Sequence, residues 1–227
     1  MKYALFIILF TGALAKHTLG QNTESVIAET NRLLGSNRKT VSDVLTDTAL
    51  FYLHANTAFR EVIRKHAKAE KITIASANEP GTRIVVNGTV LNNANKPMAG
   101  ILIYFYHTSD KGWYSDTGVH IKGYEGDHRH SRLFGYVQTD AQGIFTINTI
   151  RPNGYPQSGF AGHIHLQMWN ANGAHIPGIP GELQFEDDVR MTAERKQRSL
   201  AEGYLVAKNE GTKEQPVYNY IIKVKGD

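Results

Sequence analysis

Two histidines stand one residue apart in the segment "SGFAGHIHLQMW", residues 158–169, which is otherwise mostly apolar. Side chains alternate between the two faces of a β-strand, so His163 and His165 share one face while Ile164 and Leu166 share the other. This spacing suits two ligands of one metal ion. It equally suits two polar residues on the solvated side of a sheet, so the pair alone does not decide between them.

A second pair with the same spacing, His128 and His130, lies in the polar segment "DHRHS", where a solvated loop is the simplest interpretation. The pair in the apolar strand is the better metal candidate, because unpaired imidazoles are costly to bury and a strand fixes both rings. The chain has no cysteine, which excludes thiolate nucleophiles and thiolate ligands. The glycine-rich phosphate-binding motifs and the "GxSxG" nucleophile motif are also absent from the sequence.

Two tyrosines lie upstream in segments that fix their positions. "DKGWYS" places Tyr114 just after a predicted strand, and "TIRPNGYPQ" holds Tyr155 between Pro152 and Pro156 in a constrained turn. A phenol, with a reference pKa of about 10, is a poor ligand near neutral pH, but a strongly acidic cation such as Fe³⁺ displaces that proton. Two phenolates together with two imidazoles would favour ferric over ferrous iron.

Five motifs follow one another within about residues 84–190: "GWY", "TDAQGIF", "TIRPNGYP", "HIHLQMW" and "LQFEDD". In this order they resemble the intradiol ring-cleavage dioxygenases, of the protocatechuate and catechol dioxygenase type. The resemblance implies a catalytic β-sandwich that holds non-haem Fe(III). It also implies an enzyme that uses O₂ to cleave a small aromatic diol between its two hydroxylated carbons, giving a dicarboxylic product.

The resemblance assigns a role to each candidate residue. It implies that Tyr114, Tyr155, His163 and His165 are the iron ligands. It further implies that Tyr114 is catalytic, as the tyrosinate that leaves the metal when a catecholate binds and that takes up a substrate proton.

One position departs from the family pattern. The family has an arginine three residues before the first ligand histidine, and this chain has Phe160, which offers neither a charge nor a hydrogen-bond donor. Arg151, predicted here as a catalytic residue, or Arg129 or Arg132, would have to supply the charge from another segment. The departure favours a competing interpretation, an exported binding module that keeps the fold, with or without iron, and cleaves nothing. A zinc or other divalent hydrolase is a third interpretation, although zinc sites rarely recruit tyrosines.

The surrounding pattern predicts a mainly β protein, an antiparallel β-sandwich over residues 71–227 preceded by a helical arm over residues 21–70. In the arm, Gly35 marks a helix end and Thr40 to Asp43 have capping-box spacing. From residue 71 the pattern is short β-branched and aromatic runs separated by turns such as "DAQG" and "NANG". The arm packs on the sandwich or on a second subunit, and we expect a homodimer.

Residues 1–20 resemble a secretory signal, with Lys2 ahead of the apolar run "YALFIILFTGALA", which is short for a bilayer span. Cleavage is expected after Ala15 or between Gly20 and Gln21, and an uncleaved anchor is the alternative. We therefore expect an exported protein, periplasmic or extracellular, without stable membrane insertion. The formal net charge is +4 with no long basic run, which gives no support to nucleic-acid binding.

Overall fold

A computed structural model describes residues 11–115, 131–156 and 158–224 of the 227-residue chain. The helices are α1 (Thr11–Gly35), α2 (Val41–Thr46), a 3₁₀ helix (Thr48–Leu53), α3 (Thr57–Lys65) and α4 (Ala193–Ala201). The strands are β1 (Lys71–Thr73), β2 (Arg83–Asn92), β3 (Leu102–His107), β4 (Leu133–Gln138), β5 (Ile144–Ile150), β6 (His163–Trp169), β7 (Glu182–Phe185), β8 (Leu205–Ala207) and β9 (Val217–Val224).

The described strands form two sheets, which confirms the mainly β fold with a helical arm. One sheet has the order β1-β5-β2-β9 and the other the order β4-β3-β6-β7-β8. The pairs β1–β5, β2–β9 and β7–β8 are parallel, so both sheets are mixed rather than purely antiparallel. Alternation of apolar residues indicates which face of a strand is buried but not which way its neighbour runs, so the sequence did not show this.

The core lies between the two sheets. Strands β2 and β9 alternate between buried and more exposed residues, so each presents one apolar face to the other sheet. Across this core the ring of Phe185 on β7 packs edge-on against Tyr218 on β9, with 4.7 Å between ring centres. The inward faces of β6 and β7 are therefore fixed by packing, which leaves their outward faces available for a site.

The helical arm covers part of the outward face of the five-stranded sheet. Arg60 on α3 is buried and donates hydrogen bonds to the Tyr104 hydroxyl on β3 at 2.9 Å and to the Ser131 carbonyl at 2.5 Å. Its guanidinium lies 3.8 Å from the ring centre of Phe134 on β4. The arm thus packs on the sandwich of its own chain, which explains why β3 and β4 are buried on both faces.

The ends of the first helices follow the sequence prediction at two points. Helix α1 ends at Gly35, and a capping box at Thr40 and Asp43 opens α2. Helix α1 begins at Thr11, so both expected cleavage points fall within its range, while residues 1–10 lie outside the described residues. Among the described helices, none has the length and apolarity needed to cross a membrane.

Candidate metal centre

Strand β6 presents two imidazoles on the outward face of its sheet. The Nε2 atoms of His163 and His165 lie 3.0 Å apart, as expected for residues on the same face of one strand. The Nδ1 atom of His163 lies 2.8 Å from the Ala161 carbonyl oxygen and donates its proton there. This hydrogen bond leaves a lone pair on Nε2 of His163, the atom that faces the centre of the cluster.

Two tyrosine hydroxyls from separate loops join the imidazoles. The oxygens of Tyr114 and Tyr155 lie 2.5 Å apart, and the Tyr114 oxygen lies 3.0 Å from Nε2 of His165. The Tyr155 oxygen lies 3.1 Å from Nε2 of His163 and 3.2 Å from Nε2 of His165. The structure therefore brings together all four residues that the sequence proposed as ligands.

The spacing of these four donor atoms fits a single metal ion. Donors bound at about 2.1 Å and at right angles to one another lie about 3 Å apart. Five contacts within the cluster, of 2.5 to 3.2 Å, are close to that value. Two phenol oxygens beside two nitrogens suit a hard, strongly acidic ion, and ferric iron fits this donor set better than zinc.

The two tyrosine loops are held against each other by glycines. Gly112 has φ +79°, and a Cβ there would lie 2.9 Å from Cδ of Pro156 and still closer to the Gly154 carbonyl oxygen. The Thr108 hydroxyl donates to the Asn153 carbonyl at 2.6 Å, which ties the same two segments together. The close approach that joins the tyrosine oxygens therefore requires glycine in the "GWY" segment.

Burial dominates the electrostatics of the cluster. It raises the pKa of the Tyr114 hydroxyl well above its usual value, and the neighbouring Tyr155 raises it further. Burial also raises the pKa of Tyr155, whereas its hydrogen bond with Tyr114 acts in the opposite direction. Without a metal ion both phenols keep their protons at neutral pH, so an ion that binds them must displace those protons.

Sequence reasoning missed three residues around the cluster. Tyr106 on β3 stacks on His165 with 4.7 Å between ring centres, and Glu182 on β7 places Oε1 3.9 Å from Nδ1 of His165. Both pair with His165 in the strand register, a tertiary feature that no local pattern reveals. Asp188 accepts a hydrogen bond from the Gly162 backbone N–H at 2.9 Å. The sequence feature that could have indicated it is its place as the last residue of the "LQFEDD" motif.

The arginines proposed as charge donors are engaged elsewhere. Arg151 forms an ion pair with Asp187 at 2.9 Å and donates to the Tyr218 hydroxyl. Arg132 binds the carboxylate of Glu79 through two hydrogen bonds, at 2.5 and 2.7 Å. Among the described contacts of Arg151, none reaches the four donor residues, and its catalytic role stays a prediction.

The remaining predicted residues fall into two groups. Arg129, His128 and His130 lie outside the described residues. Phe160 is 56% exposed, and its ring packs edge-on against Tyr155 with 6.2 Å between ring centres. The guanidinium of Arg195 on α4 lies 5.8 Å from the Phe160 ring centre, so a cation is present on that side of the cluster although residue 160 carries none.

Comparison with known proteins places this arrangement in a family. A family model described as "Dioxygenase", that of the intradiol dioxygenases, matches residues 57–219 and so covers all four donor residues. The chain belongs to the intradiol dioxygenase family. It is similar to "Catechol 1,2-dioxygenase 1" of Acinetobacter lwoffii, with 32% identity over 112 residues, or 48% of this chain and 33% of that protein. This intradiol dioxygenase family member thus matches about a third of the length of that relative.

A solved structure shares the fold of this family member, and a second one aligns with it at a lower score. The dioxygenase domain of a dioxygenase–carbohydrate-binding protein fusion from Streptomyces sp. SirexAA-E aligns over 71% of this chain and 90% of that chain, with 22% identity and a TM-score of 0.51. An intradiol ring-cleavage dioxygenase from Tetranychus urticae aligns over 70% and 87% of the two chains, with 21% identity and a TM-score of 0.48.

Proposed function

We propose that the protein is a non-haem Fe(III) dioxygenase that cleaves a catechol-type ring between its two hydroxylated carbons, with both atoms of O₂ entering the product. The observation that carries this proposal is the convergence of two tyrosine oxygens and two imidazole nitrogens, from Tyr114, Tyr155, His163 and His165, which are joined by five contacts of 2.5 to 3.2 Å. A ferric ion bound there would supply the Lewis acidity that makes a chelated catecholate reactive towards O₂.

The two tyrosines would have different roles, one in holding the ion and one in proton transfer. The Tyr155 oxygen contacts both imidazoles and its residue lies between two prolines, so this side chain is suited to hold the ion throughout. In the described hydrogen bonds the Tyr114 oxygen contacts the Tyr155 oxygen and one imidazole, that of His165. Tyr114 itself lies in a loop. Tyr114 is therefore the residue that we assign to take up a substrate proton.

An aromatic ring would enter beside Phe160. This side chain is exposed and packs against Tyr155, so it forms an apolar wall next to the donor cluster. Apolar contact with a planar substrate is what such a wall supplies. Arg195, above the Phe160 ring, is the cation that would attract an anionic substrate towards this side.

The first experiment measures the optical spectrum after aerobic iron loading. We expect a visible tyrosinate-to-iron charge-transfer band, which Tyr155→Phe removes or shifts. Tyr52→Phe is the matched control, because Tyr52 is 60% exposed and lies in the 3₁₀ helix of the arm. A protein that stays colourless under these conditions would overturn the ferric-tyrosinate centre and would favour a divalent hydrolase.

The second experiment measures O₂ uptake with a panel of catechols, and the mass of the product formed under ¹⁸O₂. Ring cleavage requires a dicarboxylic product that carries two labelled oxygen atoms. The competing function is a binding module, which Phe160 favours because it leaves position 160 without a charge. Absence of O₂ uptake across the whole panel would favour that function, and a spectral shift on anaerobic addition of catechols would then show that the module binds them at its iron.

We also propose that residues 1–20 direct export to the periplasm or outside the cell, on the strength of the apolar run after Lys2. Amino-terminal sequencing of the secreted protein tests this, and a product that still begins at residue 1 would contradict it. The expected homodimer is tested by sedimentation of the full chain, for which a monomer at all concentrations would be the contrary result.

A further inference from the structure

A carboxylate adjoins the imidazole pair without being one of the four proposed ligands. Glu182 opens β7 and pairs with His165 across the β6–β7 ladder, so the two side chains share the outward face of the sheet. Its Oε1 atom lies 3.9 Å from Nδ1 of His165 and 4.0 Å from Nε2 of His163. The side chain is only 21% exposed, which places this charge within the site rather than in bulk solvent.

The carboxylate of Glu182 is oriented by its neighbour on the same strand. The side-chain amide of Gln184 donates a hydrogen bond to Oε2 at 2.8 Å, and Gln184 itself is buried. This contact leaves Oε1 directed at the imidazoles. Within the described residues the close contacts of Glu182 with basic side chains are those with the imidazoles of His163 and His165, and no lysine or arginine there lies at ion-pair distance from it.

We propose that Glu182 is a metal-binding residue that completes, with His163 and His165, a second donor set suited to a divalent ion. Two imidazoles and one carboxylate are the donors typical of ferrous and other divalent first-row sites. The inference rests on the same centre as the proposed function and adds the carboxylate to it, but it does not depend on ring cleavage. A chain with both donor sets would retain its iron when the ion is reduced.

The geometry allows this with a small movement. Donors around one ion lie about 3 Å apart, so Oε1 of Glu182, which is 4.0 Å from Nε2 of His163, must approach that nitrogen by about 1 Å. The terminal torsion of a glutamate side chain is broad, and rotation about it and the preceding bond supplies a shift of about this size.

The experiment compares Co²⁺ and Fe³⁺ binding to metal-free full-length protein by calorimetric titration and optical spectra. Glu182→Gln should weaken Co²⁺ binding about tenfold or more, the size of effect usual for residues that bind or support a metal. It should leave the ferric charge-transfer band in place. Glu186→Gln is the matched control, because Glu186 follows the same strand and pairs with Lys196 instead. Unchanged melting temperatures establish that both variants fold.

Two further outcomes separate this proposal from its alternatives. If Glu182 acted through its charge alone, Glu182→Gln would weaken Fe³⁺ binding at least as much as Co²⁺ binding, because the attraction grows with the charge of the ion. That result, or Co²⁺ affinity equal to wild type, would overturn the proposal. Tyr155→Phe should do the reverse, removing or shifting the ferric band and keeping Co²⁺ binding. A failure of ring cleavage with these affinities intact would count only against the dioxygenase function.

Discussion

Replacing Gly112 by alanine tests whether the close contact between the two tyrosine loops builds the centre. The residue has φ +79°, so an alanine there is strained by about 1 kcal/mol. Its Cβ would lie 2.9 Å from Cδ of Pro156, whereas carbon atoms in contact lie about 3.5 to 4.0 Å apart. The loops must then separate by up to about 1 Å, and such overpacking costs a further 1 to 3 kcal/mol, roughly.

A displacement of that size matters more for the site than for the fold. Binding constellations must be held within about 0.5 Å of their working geometry, so we expect Gly112→Ala to weaken ferric binding tenfold or more, approximately. The measurements are the iron charge-transfer band during titration and the urea unfolding midpoint. The expected loss of unfolding free energy is about 2 to 4 kcal/mol, summed from the strain and the overpacking.

Gly173 provides the matched control for this substitution. Its φ of +78° is almost the same, but a Cβ there would meet nothing within 4 Å. Gly173→Ala should therefore cost only the backbone strain, about 1 kcal/mol, and should leave the iron band unchanged. If Gly112→Ala and Gly173→Ala lost the same stability and both kept full iron binding, the idea that the loop contact positions the tyrosines would be refuted.

Three further predictions concern the packing around the centre. Arg60→Met should lower the unfolding free energy by about 3 to 5 kcal/mol, because it leaves three buried acceptors unpaired at about 1 to 3 kcal/mol each. Arg38→Met on the exposed surface should change it by less than about 0.5 kcal/mol, and equal effects of the two substitutions in urea unfolding would contradict this. Tyr106→Leu should weaken metal binding about tenfold by freeing the His165 ring, and unchanged affinity in the same titration would count against it. Burial lowers the pKa of His54 and of His107 from 6.5 to about 4. As the pH falls, the unfolded chain therefore binds these protons before the folded chain does. The contribution of each histidine to the unfolding free energy is fully present above pH 6.5 and falls by roughly 3 kcal/mol as the pH reaches 4. Unfolding midpoints that do not change between pH 7 and 4.5 would argue against this.

The sequence predicted those parts of the site that depend on local geometry. His163 and His165 share a face because side chains alternate along a strand, and the structure keeps them on one face of β6. Tyr155 could be placed because the prolines on either side of it restrict the backbone. The order of the motifs then indicated which tyrosines accompany the histidines, and the structure brings Tyr114 to 2.5 Å from Tyr155.

The remaining parts depend on which strands become neighbours. Glu182 and Tyr106 reach His165 through the pairings of β6 with β7 and with β3, and contacts between strands distant in the chain leave no periodic trace. Arg151 was proposed because Phe160 leaves its own position without a charge. In the structure Asp187, from the loop after β7, pairs with its guanidinium, a contact that no local pattern indicates, and its catalytic role stays a prediction.

A row of aromatic rings connects the helical arm to the centre. The Tyr104 hydroxyl accepts the hydrogen bond from Arg60 on α3, Tyr104 stacks on Tyr106 with 5.4 Å between ring centres, and Tyr106 stacks on His165. Because residues 104 and 106 alternate onto the same face of β3, this row fixes the imidazole from behind while the tyrosine loops close it from the side. The family match begins at residue 57, the first residue of α3, which agrees with this packing. Helix α3 therefore forms part of the support of the centre.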